Sequence, residues 1–291
     1  MRKLFAILIL FFTFLCIKLP ADAIKIGLQT NTTKTAIACS DGGIIIDNES
    51  GKPIAKVLKM KPYHLKASGN SLTIKGDGKY NKINTHSITL KPVSGFVSVK
   101  GKWYRGTLIV NAHNGKTTVI NDIDIESYLL GVVPSEMPSR WNIEAHKAQA
   151  IAARSYALAN LGKRASAGYD LKDTPEDQAY GGASAESNRT TKAVKETRGI
   201  VITYNKKIIP AYYHASSGGH TVNAGAVWNT DLPYLRSVPS FDSKFSKNGH
   251  GVGMSQQGAN NLATKGYNAY QILMYFYKDV HFGKLRPEWI L

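Results

Sequence analysis

Glu136 stands between Pro134 and Pro138 in the run "GVVPSEMPSRW" and is the only carboxylate there. Proline fixes its own φ and restricts the residue before it. The spacing therefore predicts a stiff loop that holds one acid at the mouth of an alanine-rich helix. A carboxyl so braced suits proton transfer to or from a substrate. A glutamate in the first turn of a helix, favoured there by the helix dipole, is the structural alternative.

Three further segments carry groups that could bind or react. "HASSGGHT" (214–221) offers His214, Ser216 and Ser217, and "GHGVGMSQ" (249–256) offers His250, Ser255 and Gln256 ahead of a helix whose amides could hold anionic or hydroxyl groups. "DTPEDQAYGG" (173–182) supplies Asp173, Gln178 and Tyr180, residue types that line sugar grooves. Polar, glycine-rich loops hung on regular elements are where sites usually sit. Zinc could use His214, His220 and His250, but there is no H-E-x-x-H pair to support it. A serine nucleophile lacks its G-x-S-x-G turn. Hydrolysis of a glycoside by two carboxylates would draw on Asp173, Glu176 or Asp177 as partner, which sequence alone cannot position. No cofactor and no metal is called for.

The elements that must position these residues fall into two parts, which define an α+β fold: a β-rich N-terminal module followed by a mixed helix-strand domain. Residues 24–120 alternate as strands, with Asn114-Gly115 as a two-residue hairpin turn and no helical period. Residues 121–291 form the second part. Asp124 caps a short helix expected to stop at Gly131, and a longer helix is expected from Asn142 to Leu161, with Ala145, Ala148, Ala152, Tyr156 and Ala159 on one face. Lys147 and Arg154, seven apart, share a side of that helix, facing substrate or structural partners. A third helix ends at Gly199, a hairpin turns at Asn205-Lys206, and the C-terminal region is helical.

Residues 1–23 read as a signal peptide: Arg2 and Lys3, an apolar run from Leu4 to Ile17, then "ADA". Of the two cysteines, Cys16 lies in that leader, which leaves Cys39 without a disulfide partner. The chain carries 37 Lys and Arg against 20 Asp and Glu. Such an excess of cations suits a polyanion, and export turns that reading away from nucleic acid toward anionic wall polymers or membrane headgroups.

"YLLGVVPSEMPSRWNIEAHKAQAIAARSYAL", "AYYHASSGGHT" and "GHGVGMSQQGA", in this order, resemble the SpoIID/LytB family, that is, stage II sporulation protein D and the amidase-enhancer proteins; the likeness covers roughly residues 100–291. It implies an exported protein of the periplasm or cell wall that acts on peptidoglycan glycan strands as a lytic transglycosylase, often on strands stripped of stem peptides. Glu136 matches the family's essential acid. It would protonate the oxygen of the MurNAc-GlcNAc bond and then accept a proton as the sugar's own 6-hydroxyl closes a 1,6-anhydro ring. That role calls for a partly apolar pocket, with Met137 and Trp141 as expected walls and Val133 read as core packing. Gln257 departs from the aromatic usual in the family, the segment 241–248 is shorter than usual, and Ser216 and Ser217 stand where some relatives carry metal-binding cysteines. The alternative within the family is a non-catalytic wall-binding protein that enhances an N-acetylmuramoyl-L-alanine amidase partner.

Overall fold

The computed structural model describes residues 23–76, 81–83 and 85–286; the expected leader lies outside them, apart from Ala23. Twelve strands come first: β1 (Ala23–Thr32), β2 (Lys34–Cys39), β3 (Gly43–Asp47), β4 (Pro53–Val57), β5 (Tyr63–Ser68), β6 (Ser71–Lys75), β7 (Asn81–Ile83), β8 (Ser87–Pro92), β9 (Val97–Val99), β10 (Lys102–Tyr104), β11 (Thr107–His113) and β12 (Lys116–Asp124). They form two sheets, in the orders β1-β12-β11-β8-β3-β4 and β10-β9-β2-β5-β6-β7. Period-two alternation places Ile45, Leu90, Leu108 and Val110 of the first against Ile37, Leu65, Leu72 and Val99 of the second in one core. The β11–β12 hairpin turns at Asn114 (φ 47°) and Gly115 (φ 75°), the doubly left-handed turn that the pair Asn-Gly favours.

The rest is mixed: α1 (Ile125–Glu136), α2 (Ile143–Ala159), β13 (Leu171–Lys172), α3 (Asn188–Glu196), β14 (Ile200–Tyr204), β15 (Lys207–Ile208), β16 (Tyr213–His214), α4 (Gly225–Trp228), β17 (Met254–Ser255), α5 (Gln256–Thr264), α6 (Ala269–Phe276) and β18 (His281–Lys284). The fold is α+β, as the sequence indicates. The halves are stitched together: β13 pairs in parallel with β1 and so extends the first sheet.

Two expectations about the helices need correction. Asp124 does cap α1, accepting from Ser127 N at 3.0 Å, but the helix passes Gly131 and runs through Pro134 to Glu136. Proline inside a helix costs about 3 kcal/mol. Here burial of Tyr128, Leu129, Val132 and Val133 offsets it, while the Gly131 carbonyl accepts from Ser135 Oγ (2.7 Å) and Gly181 N (3.2 Å). Pro138 ends the helix by holding Met137 extended at φ −129°, ψ 139°. Glu136 is therefore the last residue of one helix, not the doorway to the next.

The second correction concerns α2. Asn142 caps it, its side chain accepting from Glu144 N. Its burial is not one-sided: nearly every residue from Ala145 to Leu158 is buried, because α1, α3, α5, α6 and β14 surround it. The small residues that suggested a narrow packing face let all these neighbours approach.

Candidate active site

β16 and β17 are only two residues each, yet they fix the site. They pair in parallel, Tyr213 opposite Met254 and His214 opposite Ser255, which brings the two glycine-rich loops side by side. Close approach demands glycine here. A Cβ on Gly253 (φ 73°) would lie 2.1 Å from the Tyr212 carbonyl oxygen, and one on Gly249 (φ 101°) would lie 2.8 Å from His214 Cβ.

Between these loops, the end of α1 and the segment after β13 lies a cleft of ≈ 610 Å³, lined by Glu136, Tyr156, Lys163, Asp177, Tyr212, Tyr213, Trp228, His250 and Gln256 among others. Glu136 Oε1 accepts from Ala179 N (2.7 Å) and Oε2 from Gln256 Nε2 (3.1 Å). Burial pushes its carboxyl above the usual carboxylate range, and those two bonds and the Tyr213 hydroxyl only partly oppose the rise. Its place at the C-terminal end of α1, where the helix dipole is negative, acts in the same direction as burial.

A second carboxylate in the cleft behaves oppositely. Asp177 accepts from Lys163 Nζ (2.7 Å), Arg164 Nε (2.6 Å) and Lys172 N (2.8 Å). Burial would raise its pKa, but these donors win and hold it below the usual range. Glu176 is exposed, and its pairing with Lys172 also lowers it.

Of the residues anticipated from sequence, Glu136, Glu176, Asp177, His214, His250 and Gln256 line the one cleft. His214 is 5% exposed and its ring is fully engaged: Nδ1 donates to Val252 O (3.1 Å), which leaves Nε2 to accept from Ser217 Oγ (2.6 Å). Burial and the neighbouring His250 push its pKa down to about 4, so it is a neutral wall at neutral pH. His250 is likewise lowered by burial, and its Nδ1 accepts from Val252 N. Among the described residues no three His, Cys, Asp or Glu side chains gather to hold a metal.

The other anticipated residues stand behind or away from the cleft. Arg154 is fully buried and bonds Glu126 twice at 2.8 Å, so it cannot reach substrate. Lys147 pairs with Glu144 and Glu196. Gln178 is fully buried, accepting from Tyr128 Oη and donating to Ala153 O and to Tyr213 Oη at 2.9 Å; it steadies the tyrosine beside Glu136. Tyr180 belongs to the core, its ring 4.8 Å from Tyr128 and its hydroxyl donating to Asn121. Ser216 Oγ donates to Ser246 O, and Ser217 backs His214. Ser255 caps α5 by accepting from Gly258 N. Val133 is a core residue, as expected; Met137, expected as a wall, is core as well, and Trp141 packs against the second core cluster. The aromatic wall is instead Tyr156, Tyr212 and Trp228, with Tyr212 and Trp228 rings 4.4 Å apart.

Asp242 escaped the sequence reading altogether. It is 1% exposed, and its carboxylate accepts from Ser217 N, Gly219 N, Ser240 Oγ and Ser255 Oγ. One acid thus ties the first glycine loop to the cap of α5, whose next residue, Gln256, reaches Glu136. Ser240 is two residues away, but the other three donors come from segments 13 to 25 residues distant, so no spacing in the sequence marks it. Trp228, on the four-residue α4, was equally hidden, in a short segment with no period to mark it.

Residues 113–204, which include Glu136, match the family model described as SpoIID, stage II sporulation protein. The chain is 36% identical over 201 residues to a Bacillus subtilis protein named amidase enhancer, a span of 67% of this chain and 27% of that one. It is 38% identical over 144 residues to the Bacillus subtilis stage II sporulation protein D, covering 44% of this chain and 42% of the relative. A Brachyspira hyodysenteriae protein is 36% identical over 163 residues, 55% of this chain and 44% of its own. The chain therefore spans less than half the length of each of these relatives, and within that span it carries a SpoIID-family domain.

Proposed function

We propose that the protein is an exported lytic transglycosylase that cleaves the MurNAc-GlcNAc bond of peptidoglycan glycan strands, with Glu136 as the acid and then the base. The observation that carries this reading is the inequality of the carboxyls that line one cleft, Glu136 raised and Asp177 and Glu176 lowered. Glu136 is biased toward its protonated form, as a donor to a leaving oxygen must be. Asp177 is committed to three donors and is a poor base or nucleophile. A hydrolase needs a second working carboxylate at a defined separation. A transglycosylase does not, because the 6-hydroxyl of the same sugar attacks. Trp228 and Tyr212 offer faces for sugar rings to stack on, and Gln256 offers an amide beside the reacting acid.

The test is mass spectrometry of glycan strands, with and without stem peptides, incubated with the protein in isotopically labelled water. The expected products end in 1,6-anhydro-MurNAc and carry no label at the cleaved carbon. Labelled reducing ends would mean hydrolysis. A second reading, a wall-binding enhancer of an amidase, draws support from the name of the Bacillus subtilis relative. Binding of glycan with no products, together with faster cleavage by an added wall amidase, would favour it.

A further inference from the structure

An antiparallel sheet packed on one side ordinarily turns polar residues to water on the other. The edge of the first sheet sets apolar residues among them. In "GGIIID", Ile45 is buried toward the core, so the register places Ile44 on the outer face, opposite Lys56 of β4 and Lys91 of β8, with Ile46 beyond it. Exposure of the apolar residues at this edge climbs from Ile54 (39%) to Leu58 (55%), Met60 (61%) and Val93 (79%). The last three project from two loops that flank Gly42, Val93 N donating to Gly42 O and Met60 N to Cys39 O. Met60 holds φ +56°, a conformation disfavoured for a long side chain, yet that side chain points to solvent and gains no core contact.

Ammonium groups surround this apolar tip. Lys56, Lys59 and Lys91 are all exposed, and Asp41, an acid beside the tip, pairs with Lys59 at 3.0 Å. Exposed apolar clusters of this kind mark interaction sites. A protein partner is matched by a groove or by a free strand edge. β4 is an edge, but it opens on Pro53, cannot donate there, and bears lysines, devices that discourage strand pairing. Protruding apolar side chains ringed by lysines complement the interface of a bilayer, where the former enter the acyl boundary and the latter meet phosphates.

We propose that this corner of the sandwich, Leu58, Met60 and Val93 with Lys56 and Lys91 behind them, seats the protein on a lipid surface bearing anionic headgroups. The site is separate from the cleft and does not depend on the reaction proposed there. Its test is local, so that other membrane-seeking parts of the chain do not decide it. The full chain carrying Cys16→Ser and Val93→Cys is labelled with an environment-sensitive dye. Cys39 stays unlabelled because it is fully buried and burial raises its thiol pKa to about 11.

Vesicles of phosphatidylcholine with about 30% phosphatidylglycerol should shift the emission to the blue and raise it about threefold, and vesicles of phosphatidylcholine alone should not. Leu58→Ser with Met60→Asn, asparagine being at ease at positive φ, should weaken the response about tenfold. Lys56→Gln and Lys91→Gln should each weaken it about fivefold. Unchanged emission on vesicles that carry the protein down, or an equal response to neutral vesicles, overturns the proposal. So does binding of inorganic polyphosphate without any response to vesicles, which would assign the corner to an anionic wall polymer.

Discussion

The two halves of the molecule bury different things. In the sandwich the buried positions are mostly Ile, Val, Leu and Tyr, with a few threonines and one amide, Asn121. Past Asp124 the buried set takes in His146, Gln149, Arg154, Asp177, Gln178, His214, Asp242, Ser255 and Gln256. A buried polar group costs free energy unless it is bonded, and a bonded network fixes one arrangement where an apolar core tolerates several. The sandwich is thus held by area, and the second half largely by specific pairs, several of which frame one cleft. Where a chain buries polarity is where its geometry matters.

The largest effect expected from breaking that arrangement is chemical. Glu136→Gln keeps the shape and the bond from Ala179 N but has no proton to give, and glycan cleavage should fall about 10² to 10⁴-fold with the fold retained. Full activity in this variant, read as anhydro ends released per minute, would remove Glu136 from the mechanism.

The same substitution ten residues earlier on α1 should act on stability instead. Glu126→Gln leaves the Arg154 guanidinium buried without its counter-ion, at a cost of about 3–5 kcal/mol in a denaturant melt. In the sandwich, Leu108→Ala should cost about 2–5 kcal/mol by opening a cavity, yet leave activity per folded molecule unchanged. A Leu108 variant that folds but loses activity would mean the sandwich shapes the cleft.

These contrasts explain what could be read in advance. Alternation and Asn114-Gly115 made the β half legible, because strand faces and tight turns depend on neighbouring residues. The caps Asp124 and Asn142 were legible for the same reason. Glu136 was found by its prolines, though its place in the fold was not. Whether a helix passes Pro134 depends on what it packs against, and that is decided by tertiary contact. Arg154 and Tyr180 have the residue types of a binding site, and only their burial reveals them as framework. Asp242 has no telling local signature, since apart from the bond from Ser240 its role consists of bonds from Ser217, Gly219 and Ser255 elsewhere in the chain.

Two buried groups in the polar half break its own rule. Among the described residues, His146 Nδ1 and both side-chain polar atoms of Gln149 lie buried with no protein partner. Gln149→Met keeps the volume and removes the unsatisfied amide, so the variant should be more stable by about 1–3 kcal/mol. Loss of stability would mean that the amide is bonded in solution.

The smallest effect is also the one that reads Glu136 without any substrate. Its carboxyl binds a proton more tightly in the folded protein than in the unfolded chain, because burial raises its pKa above 4.5. The folded state therefore loses stability as pH rises from the ordinary carboxylate pKa through the raised one, and the deficit persists at neutral pH. His214 works in the other direction. With its pKa lowered from 6.5 to about 4, it contributes stability that is present above 6.5 and is lost as pH falls toward 4. That loss is common to wild type and Glu136→Gln and cancels in their difference. The difference should accordingly favour the glutamine variant at pH 7 and shrink to nothing below the unfolded carboxylate pKa, in melts run across that range. A variant less stable than wild type at pH 7, by a margin that grows with pH, would mean that Glu136 is held as an anion, and an anion cannot start the cleavage as its acid.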